Sequence, residues 1–242
     1  MVARLLIIAS VACFVNLANA IEPFPGFKKC KSSDSDCILE NAIKGVSSFG
    51  DGIPELGVRR LDPDFFDKVD ASSPNLKFIL SDITLTGLKS CKPTKVTRDA
   101  AKSQIFLILQ CALKLDGNYE LDGNVLILKI KGKGKIHVYL RNIVNTVTLD
   151  YVIKEGKDGQ KHLRIKKFDH TYKLNEKSDV VFEGLFQDND VLSQAADDLI
   201  KNNGNEIVEE IGGGMFTAAV TRIVENFNKF FGKLPYEDIS ID

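Results

Sequence analysis

Along this chain the spacing of apolar residues changes twice. Between Asp36 and Ser48 the apolar positions Ile38, Leu39, Ala42, Ile43 and Val46 fall three or four apart, which predicts a short amphipathic helix. Asp34, Ser35 or Asp36 can serve as its N-cap. The run Gly50-Asp51-Gly52-Ile53-Pro54-Glu55-Leu56-Gly57 then breaks the pattern with turn residues. From there to about Val181 the period is two. The strand-like runs are Leu76–Lys89, Lys92–Thr97, Ser103–Leu115, Asn118–Leu121, Val125–Lys131, Lys135–Leu149, Tyr151–Lys154 and His162–Lys173. Asp116-Gly117, Asp122-Gly123 and Asp158-Gly159 read as turns between them. Several runs exceed the usual five or six residues, so they predict a large, strongly curved antiparallel sheet rather than alternating βαβ units.

Past residue 187 the helical period returns. Asp188-Asn189-Asp190 can cap a helix to about Lys201, and Asn202-Asn203-Gly204-Asn205 punctuates it. A second helix then carries Ile207, Ile211, Met215, Ala219, Ile223, Phe227 and Phe230/Phe231, its stripe widened by Phe216, Val220 and Val224. Running to Phe231, it would be about 35–40 Å long. So wide an apolar stripe needs a cover, and the concave face of the sheet is the large apolar surface available. The expected architecture is α+β: a long C-terminal helix wrapped by a strongly curved antiparallel sheet, enclosing an elongated hydrophobic cavity.

The first twenty residues read as a secretory leader. Arg4 is followed by the apolar run Leu5–Val15, and Ala18-Asn19-Ala20 is a small-residue cleavage site. That run is shorter than the roughly 20 residues a bilayer requires. Residues 21–242 are then a single secreted domain, expected to act extracellularly as a monomer without stable membrane insertion. Losing the leader removes one of 32 basic residues and none of 33 acidic ones, so the formal charge moves from −1 to −2. Near-neutrality argues against nucleic acid as a partner. Lys129, Lys131, Lys133 and Lys135 alternate at strand spacing and read as one solvated face.

Four cysteines remain after the leader, an even number in an oxidising compartment. Cys30 and Cys37 close a short loop ahead of the first helix. A reversal near Asp99-Ala100-Ala101-Lys102 would bring Cys91 and Cys111 opposite each other, although a one-residue slip would put the thiols on opposite faces. The chain has no Asn-x-Ser/Thr sequon.

Reaction chemistry is not legible. His137, His162 and His170 are the histidines, and each reads as a surface strand residue; none stands in a metal-binding spacing, and no metal site is expected. There is no Gly-x-Ser-x-Gly elbow. Gly132-Lys133-Gly134 lacks the third glycine of a nucleotide loop and reads as a strand bend. The chain is therefore read as a non-enzyme that needs no cofactor.

An ordered set of segments carries a family resemblance. Cys30-x6-Cys37 is followed by Asp51-Gly52-Ile53-Pro54-Glu55-Leu56-Gly57, Leu61-Asp62-Pro63, Thr86-Gly87-Leu88 and the stretch from Gly117 to Leu128. Then come Ile130-Lys131-Gly132-Lys133-Gly134, Leu185-Phe186 and Pro235-Tyr236. Together they resemble the insect takeout and juvenile-hormone-binding-protein family over about residues 27–238. The resemblance implies a tubular lipid-binding fold of super-roll type. It also implies extracellular carriage, as in insect haemolymph, of a small hydrophobic ligand: juvenile hormone, another terpenoid, a fatty acid or a quinone. The hormone carriers of that family have a disulfide tying a late strand to the C-terminal helix. Here no cysteine follows Cys111, so the chain looks closer to the takeout branch.

Strand alternation and the helix stripe nominate the ligand-lining set. It comprises Phe106, Leu113, Leu126, Leu128, Tyr139, Leu149, Tyr151, Met215, Phe216, Val220, Ile223 and Phe227. Tyr139 and Tyr151 are the candidate polar anchors, because a phenol joins an apolar body to a hydrogen-bonding tip. Two other readings compete with carriage: an interaction or signalling protein with a filled core, and an antimicrobial lipid-binding protein, which near-neutral charge disfavours.

Overall fold

The structure, a computed structural model, describes residues 23–186 and 190–242. The leader and the caps Asp188 and Asn189 lie outside the described residues. Helix α1 (Ser35–Asp51) starts at Asp34, whose carboxylate accepts the Cys37 N–H at 3.0 Å. Among the described residues seven strands follow: β1 (Asp64–Asp70), β2 (Leu76–Thr86), β3 (Lys92–Asp99), β4 (Gln104–Val125), β5 (Leu128–Glu155), β6 (Lys161–Leu174) and β7 (Asp179–Phe182). They make one antiparallel sheet in the order β1-β2-β4-β5-β6. β3 pairs with the first half of β4, and β7 pairs with the first half of β5. The sheet is curved but does not close into a barrel. Its two long central strands explain the curvature: 28 residues of β5 would reach about 90 Å if straight, several times the radius of gyration of a domain this size. Helices α2 (Asp190–Asn202), α3 (Gly204–Ile211), α4 (Gly213–Phe231) and the short α5 (Tyr236–Ile239) complete the chain.

Several expected boundaries move, each for a local reason. Asp116-Gly117 and Asp122-Gly123 are not turns but interior positions of β4. A Cβ on Gly117 would lie 3.1 Å from the Ser81 carbonyl oxygen and 3.3 Å from Ile83 Cα, and the β2 register slips beside it between Ser81 and Thr84. Glycine there admits a neighbouring backbone rather than a reversal. The chain actually turns at Leu126-Ile127, where Leu126 takes φ 52°. Asp158-Gly159 does form a bend between β5 and β6. The single C-terminal helix is interrupted at Gly212, so α4 spans 19 residues, or about 28 Å. Its start presses on the β1–β2 connection, since a Cβ on Gly214 would sit 2.6 Å from Ala71 Cα. His162 is buried rather than superficial. Its Nδ1 faces the Leu234 carbonyl at 2.9 Å and its Nε2 faces the Asp158 carboxylate at 3.0 Å, tying β6 to the segment after α4. Lys129, Lys131, Lys133 and Lys135 do face solvent.

The buried residues fall into two clusters. One lies under α3 and the first half of α4, around Phe78, Leu121 and Ile143. The other lies between α1, the second half of α4 and the β3–β4–β5–β6 end of the sheet, around Leu56, Leu163 and Phe230. Leu109 packs against both. Both disulfides, Cys30–Cys37 and Cys91–Cys111, are formed. The last residues return to the first bridge: the Cys30 N–H donates to the Ile239 carbonyl and the Ile241 N–H donates to the Cys30 carbonyl.

Candidate functional site

Each cluster contains a cavity. The smaller measures 80 Å³ and lies among Leu80, Leu113, Ile136, Ile211, Met215 and Phe216. The larger measures 270 Å³ and is lined by Phe24 and Phe27; by Ile38, Ala42, Val46 and Phe49 of α1; by inward residues of β3, β4, β5 and β6; and by Ile223, Phe227 and Phe230 of α4. Ala219 borders the first space and Ile223 the second, so one turn of α4 separates them. The expected elongated space is therefore divided, with Leu109 packed against both clusters.

The walls are apolar apart from Arg98 and Asn41 in the larger cavity. Among the described residues that line it, Arg98 is the charged one. Its guanidinium is largely buried, with 8% of the side chain exposed. Nε donates to the Tyr151 hydroxyl at 3.3 Å, Nη1 to Ser240 Oγ at 3.1 Å, and Nη2 to the Tyr236 hydroxyl. Nη2 also reaches Asp242 Oδ2 at 3.4 Å. The rings of Tyr151 and Tyr236 lie 5.8 and 5.2 Å from the guanidinium. The Asp242 carboxyl is held below its usual range first by the Ser32 hydroxyl and then by the Ser32 N–H, with Arg98 a lesser contributor. Asn41 also lines the space, but its amide is spent on the Lys28 backbone, donating to the carbonyl at 2.7 Å and accepting the N–H at 3.0 Å.

The nominated residues scatter over this geometry. Leu113, Met215 and Phe216 border the smaller cavity, and Leu149, Ile223 and Phe227 border the larger. Val220 packs against the second cluster without lining its cavity. Tyr151 is buried behind Arg98. The others line neither cavity. Phe106 is on the opposite face of β4, with Lys95 Nζ 5.5 Å from its ring centroid. Leu126 is in the β4–β5 turn, where its N–H donates to the Glu210 carboxylate at 2.8 Å. Leu128 opens β5 and packs on the first cluster. Tyr139 is 41% exposed, beneath Arg141, and so is no internal anchor. What the pattern missed is the α1 wall, the Phe24/Phe27 segment and Arg98. The α1 stripe of Ile38, Ala42 and Val46 was visible; Arg98 shares β3 with Lys92 and Lys95, and the signal that sets it apart is its position two residues after the buried Val96, on the same face of the strand.

Two further facts bear on chemistry. Among the described residues, no group of three His, Cys, Asp or Glu side chains is placed to hold a metal ion. No helix among them is long and apolar enough to cross a membrane.

This arrangement has relatives. The family model of haemolymph juvenile hormone binding proteins matches residues 6–240. The chain belongs to that family. Within it, the chain is similar to the circadian clock-controlled protein daywake of Drosophila melanogaster, 25% identical over 94% of this chain and 91% of that one. Its counterpart from Drosophila yakuba is 23% identical over 91% and 89% of the two chains. The crystal structure of Epiphyas postvittana Takeout 1 superposes with a TM-score of 0.83 at 27% identity, covering 88% of this chain and 99% of that one. The α+β fold, with a curved open sheet and C-terminal helices, is thus that of the takeout and juvenile hormone binding proteins.

Proposed function

We propose that this protein is a secreted, non-enzymatic carrier that holds a small hydrophobic molecule in the larger cavity. The observation that carries the reading is the 270 Å³ space with apolar walls. It approaches the lower end of ligand pockets, at about 300 Å³, and exceeds the roughly 150 Å³ apolar void that takes up benzene. The 80 Å³ space is below both and serves as slack in the core. Removing about 400 Å² of apolar ligand surface from water contributes about 10 kcal/mol. Association takes back about 4 kcal/mol or more, leaving micromolar or tighter binding within reach. Family membership supports hydrophobic-ligand binding. The leader sequence and two disulfides support export.

The test is native mass spectrometry of protein secreted from insect cells, followed by titration with the neutral fluorophore N-phenyl-1-naphthylamine. A carrier shows a co-purified hydrophobic adduct or saturable binding of one fluorophore. A protein of homogeneous mass that leaves the fluorophore dark has a filled core, and the reading fails.

A further inference from the structure

Resting on the carrier reading, we infer that the larger cavity takes an amphiphile with a carboxylate head, and that Arg98 receives that head. Burying a guanidinium is costly unless it is paired and hydrogen-bonded. Arg98 is hydrogen-bonded but poorly paired: three of its partners, Tyr151, Tyr236 and Ser240, are neutral oxygens. The anionic partner, Asp242, stands at 3.4 Å, beyond the roughly 2.7–2.9 Å of a strong charge-assisted bond. That carboxylate has another donor, the Ser32 N–H at 2.8 Å, and its side chain is 34% exposed. Asp242 therefore has a place to stay when it releases Arg98.

The surroundings give the ligand its shape. Apolar walls run from Arg98 past Ile105, Leu107 and Leu149 to Ile223 and Phe227, which suits a hydrocarbon tail. The Tyr151 and Tyr236 hydroxyls hold Nε and Nη2, so what is left for an in-plane acceptor is the remaining Nη1 N–H and the Nη2 N–H that Asp242 holds only loosely, which one carboxylate can take together. Four of the five N–H groups have partners among the described residues. An entering carboxylate replaces Asp242 and adds a second contact without unpairing the phenols. A methyl ester offers the same tail but no charge, so Arg98 distinguishes free acid from ester.

The experiment measures displacement of N-phenyl-1-naphthylamine by dodecanoate and by methyl dodecanoate at pH 8. The wild-type protein is expected to favour the acid by about tenfold, the worth of one charge-assisted bond. Arg98→Gln should abolish that preference while leaving the ester and the fluorophore within about twofold. Asp242→Asn, which removes the competing anion, should tighten dodecanoate severalfold and leave the ester unchanged. This second variant decides the matter even where Arg98→Gln fails to fold. Equal binding of acid and ester by the wild type, or weaker acid binding by Asp242→Asn, overturns this inference alone. Failure of all three compounds to bind removes the carrier reading with it.

Discussion

At one end of the sheet α3 and the first turns of α4 lie against β2, β4, β5 and β7, and 80 Å³ is left over. Tyr119 and Phe182 meet edge to face with centroids 4.9 Å apart, and Phe78 stands 6.4 Å from Phe182. The cover there is closely fitted: a Cβ on Gly204 would fall 2.1 Å from the Ser178 carbonyl oxygen, and Asn205 Oδ1 accepts the Ser178 N–H at 2.8 Å. At the other end the same β4 and β5 continue, yet 270 Å³ stays open. That end is no poorer in rings, since Phe24, Phe49, Phe227, Phe230 and Phe231 lie in mutual contact. The rings come from separate segments and stand around the space rather than in it. Hollowness here follows from how the cover meets the sheet, not from how apolar the residues are.

The contrast can be broken most severely by truncating a ring at each end. Phe78→Ala is expected to cost about 3–5 kcal/mol in urea unfolding, as for a fully packed core ring. Phe49→Ala should cost about 1–2 kcal/mol, because its ring already borders a void and loses fewer contacts. Equal losses would show that the two ends are packed alike. Next comes filling: Ile223→Trp should weaken N-phenyl-1-naphthylamine binding by about 100-fold, or 2.7 kcal/mol. Ala219→Leu, one turn earlier beside the smaller space, should change that binding by no more than about twofold. Similar effects from both would mean that the two spaces act as one.

The smallest effect concerns the closely packed side, where Asp64 is buried against α4 and accepts from Arg222 at 2.9 Å. Burial pushes its carboxyl above the ordinary value, while Arg222 pulls the other way without prevailing. The folded state therefore takes up a proton that the unfolded chain has already lost. Stability from this group is greatest in acid and declines as pH rises from the ordinary value through the raised one. Measured against Asp64→Asn, wild-type stability should fall across that window and then run parallel. A relative gain with rising pH would reverse the sign assigned to Asp64.

The class of fold was readable because the two periods are long and clean, and α1 and the run from Ile207 to Phe231 stood out at once. Facing was harder. Residues 105–109 are apolar at every position, so alternation could not say that Ile105, Leu107 and Leu109 point inward and Phe106 outward. On β5 the inward residues are even-numbered at Ile136, Val138 and Leu140 but odd-numbered at Ile143, Val147 and Leu149. Opposite Cys111 and Leu113, β5 carries an extra residue that reverses the parity. Tyr139 and Leu149 share one parity and end on different faces for that reason. Leu126 and Leu128 were misplaced because Asp122-Gly123 looked like a hairpin turn while the strand ran on. β1 was not read, because its seven residues alternate only in part.

The pairing of Cys30 with Ser240 also governs where the molecule can be handled. Polypeptide added after Asp242 would emerge beside Arg98, so a fused reporter or purification handle there would crowd the charged group it was meant to leave free. Ile127, 87% exposed at the far tip of the β4–β5 hairpin, offers an attachment point for a dye or a surface linkage that leaves Arg98 and its partners untouched.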